Sequence, residues 1–200
     1  NQVMACTNLL RVPNRSPREQ AQTYNNRANA YRTQREYGLA IADYDEAIRL
    51  DPDYANAYNN RGIANRAAGL PDRAIADFSA AIRIDPTFAS AFANRGSAYA
   101  DRGDLTRAIA DHTRAIQLNP DYANAYNNRG NAYRQQREYQ RAIADFTEAI
   151  RINPRYANAY NNRGRTYQAM GEVDRALADY EEARRIEPDN PDYQGFGLRR

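Results

Sequence analysis

Apolar residues recur along this chain at spacings of three and four, in segments that come in pairs. One member is an alanine-rich stretch such as AYNNRGNAY (125–133), and the other is a stretch such as RAIADFTEAIRINP (141–154). Both place apolar side chains at i, i+3, i+4 and i+7, which predicts two amphipathic helices per pair. Prolines stand at Pro52, Pro86, Pro120, Pro154 and Pro188, each 34 residues after the last. A proline pushes the residue before it out of the α region, so each one closes a second helix. A fixed period of this length means stacked supersecondary units, and an all-α array is expected.

Counting back from each proline gives five repeats, 21–54, 55–88, 89–122, 123–156 and 157–190. Repeat positions below count from the first residue of each. Position 4 is Tyr24, Tyr58, Phe92, Tyr126 and Tyr160, and position 8 is Ala28, Gly62, Gly96, Gly130 and Gly164. Position 20 is alanine throughout (Ala40, Ala74, Ala108, Ala142, Ala176), as is position 27 (Ala47, Ala81, Ala115, Ala149, Ala183). These residues resemble the tetratricopeptide repeat over 21–190. The resemblance implies a right-handed superhelical solenoid of antiparallel helix pairs, with small residues where helix backbones approach and aromatics in the gaps.

The ends and two interior positions depart from the pattern. Residues 1–16 read as a half repeat and a loop, because QVMACTNLLRV (2–12) aligns with AIADYDEAIRL (40–50) after four extra residues. Ser16-Pro17-Arg18-Glu19 reads as a capping box with proline at the first helical position, opening the array over 17–190. Residues 191–200 form a tail where a sixth first helix would begin. Arg184 replaces the isoleucine of Ile48, Ile82, Ile116 and Ile150, making the last helix tolerant of solvent. Asn65 stands in place of tyrosine and His112 in place of Tyr or Phe; both read as hydrogen-bonded core substitutions.

Two polar recurrences carry the functional reading. Position 6 is Asn26, Asn60, Asn94, Asn128 and Asn162, and Asn59, Asn127 and Asn131 flank it. On a helix wheel of about 100° per residue, position 6 falls away from the packing side. Asparagine is a mediocre helix former, so its repetition there needs a reason. An amide both donates and accepts, which suits a grip on a peptide unit. The row is similar to the asparagine ladder in the peptide-binding arm of O-linked N-acetylglucosamine transferase. That resemblance implies an extended peptide in a concave groove, carried by the position-6 residues alone.

Position 7 is Arg27, Arg61, Arg95, Arg129 and Arg163, and position 23 is Asp43, Asp77, Asp111, Asp145 and Asp179. Both lie on the shoulder of the packing side, so structural ion pairs within or between repeats are expected. Arg32, Arg66, Arg134 and Arg165 would make the groove mildly basic. The cation pattern of the acidic-tail clamp in chaperone-associated repeats is not present.

Composition narrows the function classes. All 28 cations are arginine, against 25 carboxylates, and a surplus of +3 is too small to announce nucleic acid. Cys6 and His112 stand alone in their types, and no phosphate loop, GxSxG or HExxH occurs, so no catalytic residue, metal or cofactor is expected. No apolar run approaches about eighteen residues, which excludes a transmembrane helix. The expected partner is a protein or peptide, bound by a non-enzymatic scaffold. The alternative is a homo-oligomer or head-to-tail filament, in which the chain ends complete a repeat between molecules. Arrays with a half repeat ahead of the first unit are similar to exported bacterial proteins, while the absence of an initiating methionine suits either a removed signal peptide or an excised domain. Asn14-Arg15-Ser16 is a formal glycosylation sequon in a loop, read as silent.

Overall fold

The structure is a computed structural model that describes residues 2–193. Its described residues form eleven α-helices and one short 3₁₀ turn, with no strand among them. They fall into two compact units, Asn1–Gly103 and Asp104–Arg200. The first unit holds α1 (Gln2–Leu10), α2 (Pro17–Thr33), α3 (Tyr37–Leu50), α4 (Ala55–Ala67), α5 (Pro71–Ile84) and α6 (Ala89–Asp101). The second holds α7 (Leu105–Leu118), α8 (Ala123–Gln135), α9 (Tyr139–Ile152), α10 (Ala157–Ala169) and α11 (Val173–Ile186). Of the expected tail over 191–200, Pro191–Tyr193 form the 3₁₀ turn, and 194–200 lie outside the described residues.

Local chemistry sets the helix ends. The capping box forms: Ser16 Oγ accepts from the Glu19 N–H at 3.3 Å, and Glu19 Oε2 accepts from the Ser16 N–H at 2.8 Å. Between paired helices the chain turns at position 15 in the left-handed region, at Arg35, Gly69, Gly103, Arg137 and Gly171. After α4, the Leu70 N–H reaches the Asn65 carbonyl and the Gly69 N–H reaches that of Arg66, the two bonds of a Schellman ending. Second helices stop on an extended residue before proline, such as Asp85 at φ −126°, ψ 95°. Its carboxylate then accepts from the Thr87 N–H at 2.9 Å, bracing the turn into the next helix.

Short connections make each pair antiparallel: α2 with α3 and α4 with α5 in the first unit, α8 with α9 and α10 with α11 in the second. The buried alanines at positions 20 and 27 let the backbones close up, and aromatics at position 24 fill the space between. Glycine at position 8 is required by that closeness. A Cβ on Gly62 would lie 2.6 Å from the Phe78 ring, and one on Gly130 2.8 Å from that of Phe146. In the first repeat Ala28 takes this place beside Tyr44, and both are fully buried. Helix α1 packs on α2 and buries Cys6. Arg184 is exposed on α11, and His112 is buried in α7.

Candidate functional site

The position-7 arginines lie on first helices and face second helices. In the first unit, Arg27 clasps Asp43 in a two-pronged pair at 2.7 and 2.8 Å, and Arg61 reaches Asp77 at 2.6 Å. In the second unit, Arg129 clasps Asp145 at 2.8 and 2.7 Å, and Arg163 clasps Asp179 at 2.9 and 2.8 Å. The four aspartates are buried. Hydrogen bonding to Asp43 and to Asp179 pushes the Arg27 and Arg163 guanidiniums up from their ordinary pKa, against the cost of burial. For Arg61 and Arg129 burial pulls hardest the other way, and the bonds to Asp77 and Asp145 still outweigh it.

Each guanidinium also reaches back to the preceding second helix. Arg27 donates to Thr7 Oγ1, Arg95 to Ser79 Oγ, Arg129 to Thr113 Oγ1 and Arg163 to Thr147 Oγ1, each at 3.0 Å. Arg61 meets the Asp45 carboxylate instead, at 2.6 Å. Sequence reasoning missed these acceptors, although a short polar residue recurs at position 25. Thr7 takes the same role from α1, twenty residues before Arg27 instead of sixteen, because residues 13–16 are looped out. Aromatic rings at positions 4 and 11 both lie within 6.0 Å of the guanidinium in three repeats: Tyr24 and Tyr31 on Arg27, Phe92 and Tyr99 on Arg95, Tyr126 and Tyr133 on Arg129.

The asparagines of positions 5 and 6 form a second line of bonds. Asn60 Nδ2 donates to Asn25 Oδ1 at 3.1 Å and Asn94 Nδ2 to Asn59 Oδ1 at 2.9 Å in the first unit. In the second, Asn162 Nδ2 donates to Asn127 Oδ1 at 2.9 Å, and Asn127 Nδ2 donates to Asn128 Oδ1 at 3.2 Å. Asn25, Asn59, Asn127 and Asn161 are buried, Asn60, Asn94, Asn128 and Asn162 are half-buried, and Asn26 is exposed. Asn59 and Asn127, expected to flank the row, therefore sit beneath it and hold it. Each inter-repeat bond uses one amide hydrogen of the outer residue. Among the described residues, no donor reaches the Oδ1 of Asn60, Asn94 or Asn162.

The arginines expected to make the groove basic differ from one another. Arg66 is paired with Asp101 at 2.5 Å, so its charge is compensated. Arg134 donates to Asn131 Oδ1 at 3.2 Å and buries its Nε without a partner. Burial, then the nearby Arg165, holds the Arg134 pKa below its ordinary value. Asn29 on α2 accepts from the Tyr44 hydroxyl at 2.6 Å. Among the described residues no cluster of His, Cys, Asp and Glu could hold a metal ion, and no helix is long and apolar enough to cross a membrane.

Comparison with known families and structures gives a consistent result. Models described as tetratricopeptide repeat match residues 25–87, 123–156 and 157–190, and one described as TPR repeat matches 96–137. The crystal structure of MamA is 30% identical with a TM-score of 0.71, over 80% of this chain and 94% of that one. YrrB, described as a TPR protein with an unusual peptide-binding site, is 25% identical with a TM-score of 0.69, over 96% of both chains. PilF of Pseudomonas aeruginosa, 18% identical with a TM-score of 0.80 over 88% of this chain and 80% of that one, shares the fold. No curated protein matches the sequence. The 34-residue frame, the helix pairs and these matches agree: the chain belongs to the tetratricopeptide repeat family.

Proposed function

We propose that this chain is a protein-interaction scaffold that binds an extended segment of another protein along its first helices. Its repeats are a fold that serves protein–protein contact, and proteins of the family are in general non-enzymatic scaffolds. The observation that carries the finer reading is the amide row. Asn60, Asn94 and Asn162 are each oriented by a bond to the preceding repeat and keep an acceptor and a second N–H for a guest. Asn26 and Asn128 continue the row, with Asn131 beside it. Asn59 and Asn127 act as its supports. Amides aligned before binding lose little freedom on contact, which favours affinity. The peptide-binding site described for YrrB lends further support.

The test is selection of binders from displayed random peptides, followed by affinity measurements on variants. Asn26→Ala, at an exposed position, and Asn94→Ala are each expected to weaken a selected peptide about tenfold, the effect of one or two hydrogen bonds. Undiminished affinity in both variants, or no selectable peptide, would remove the proposal.

End-to-end self-association is a second reading, favoured by the exposed apolar side chains of Met4 and Leu9 on α1 and Val12 just after it. Exposed Arg184 on α11 opposes a fully apolar joint. Sedimentation over a wide concentration range separates the cases: mass rising with concentration supports association, and a monomer throughout eliminates it.

A further inference from the structure

The second repeat lacks one ring that its neighbours have, and the space remains. In the fourth repeat Tyr133 at position 11 is buried against Phe146 and Ala142, with Ile109 packed beside it. Two guanidiniums approach its ring, Arg129 at 5.9 Å and Arg141 at 4.0 Å from the ring centre, and Arg141 also donates to its hydroxyl at 2.6 Å. The second repeat keeps the counterparts of those holders in Ile41, Arg61 and Arg73, but position 11 is Asn65. A notch of about 300 Å³ opens there between α3, α4 and α5, lined by Ile41, Arg61, Asn65, Arg73 and Asp77 among others.

Three features of this notch point to a guest. Tyr58 lies 5.5 Å from Arg61 as Tyr126 lies 5.6 Å from Arg129, but Asn65 at position 11 supplies Arg61 with no second ring. Asn65 is 3% exposed, and its orientation is fixed because Nδ2 donates to Asp77 Oδ2 at 2.9 Å. Its Oδ1 is left buried with no hydrogen-bond partner. A buried acceptor without a donor is costly, and a bound donor would relieve the cost. The notch therefore offers guanidinium groups for a π-system, the aliphatic side chains of Ile41 and Ala76, the carboxylates of Asp45 and Asp77, and an unmet acceptor on Asn65.

We propose that the Asn65 notch is a binding site for a para-substituted phenol, entering hydroxyl first. The hydroxyl donates to Asn65 Oδ1, the ring stacks between Arg61 and Arg73, and the para substituent points to solvent. The phenol is either the side chain of a tyrosine in a partner polypeptide or a free small molecule. This site is separate from the amide row and does not depend on it.

The experiment uses the full chain and p-cresol, the side-chain analogue of tyrosine, followed by NMR of the Asn65 amide and the Arg61 and Arg73 Nε groups. Saturable shifts at these groups are expected. They should vanish in Asn65→Tyr, whose own ring refills the notch, and weaken about tenfold in Arg73→Ala, an exposed position whose change leaves the core intact. Toluene, which lacks the donor, should bind about tenfold more weakly than p-cresol. The capped tripeptide Gly-Tyr-Gly distinguishes the sources: binding as tight as p-cresol supports a polypeptide tyrosine, and binding by p-cresol alone supports a small phenol. Absence of saturable shifts, equal binding to Asn65→Tyr, or equal binding of toluene would overturn the proposal.

Discussion

Asn94 on α6 donates its side-chain N–H to Asn59 on α4 across 2.9 Å, so a residue at the face of one helix is steered by a buried residue of another. The two are not equivalent. Asn59 is 6% exposed, and an alanine there removes the acceptor and opens a small void; an alanine at Asn94 leaves the Asn59 acceptor unmet in the interior. Each single change is expected to cost about 1–2 kcal/mol, and the double change less than the sum of both. Urea unfolding of the three variants checks this, with simple additivity as the contrary result.

Arg129 and Asp145 depend on each other in the same way, at a higher cost. The aspartate side chain is 8% exposed, and without its guanidinium partner it would be a buried charge. Arg129→Leu alone is expected to destabilise by about 3–5 kcal/mol, while Arg129→Leu with Asp145→Leu should recover part of that loss. Equal destabilisation by the single and double variants in thermal unfolding would mean that the two charges do not act as a pair.

Two glycines in helices should respond in opposite directions. A Cβ added to Gly38 on α3 would meet nothing within 4 Å, so Gly38→Ala is expected to stabilise by about 0.5–1 kcal/mol. Gly62→Ala would press a methyl into the Phe78 ring at 2.6 Å and is expected to destabilise by about 1–3 kcal/mol. Chemical denaturation midpoints separate the two.

Arg137 holds φ 63° at the turn after α8, where the second, third and fifth repeats place glycine. A left-handed non-glycine residue carries a steric cost of about 1–2 kcal/mol, so Arg137→Gly is expected to be neutral or stabilising by up to about 1 kcal/mol. The converse change, Gly69→Ala, should lower the melting temperature.

At the start of α2, bonds from the Ser16 hydroxyl and then the Ser16 N–H hold the Glu19 carboxyl below its ordinary pKa. A carboxyl depressed in the folded state adds stability above the unfolded value and loses it as pH falls through the folded one. Protection factors of the Arg18, Glu19 and Gln20 amides are therefore expected to fall selectively on acidification below about pH 4.5, and Glu19→Gln should abolish that selectivity.

Much of this was legible in the sequence because the repeat states each feature five times. The prolines, the alanines at positions 20 and 27 and the paired periodicities specify helices and their partners. What the helix wheel could not give was the offset between successive repeats. It put the asparagine row away from the packing side, whereas Asn59 and Asn127 beside that row are buried and accept from the first helix of the next repeat. Sequence reasoning took Asn65 as a core substitution, which it is on the Nδ2 side. The unmet Oδ1 and the notch beside it depend on a missing volume, and a volume has no letter in the sequence. The left-handed turn at Arg35 and Arg137 was foreshadowed by Gly69, Gly103 and Gly171 at the same position.

The backward reach of each position-7 guanidinium makes the molecule behave like a zip fastener within each unit. A helix pair that peels away must pull its own guanidinium off the hydroxyl of the pair before it, so loosening at one joint is passed to its neighbour and fades with distance. Exchange protection is then expected to fall in a graded series toward the unit ends, and cutting one tooth, as in Arg163→Leu, should start that series one joint earlier.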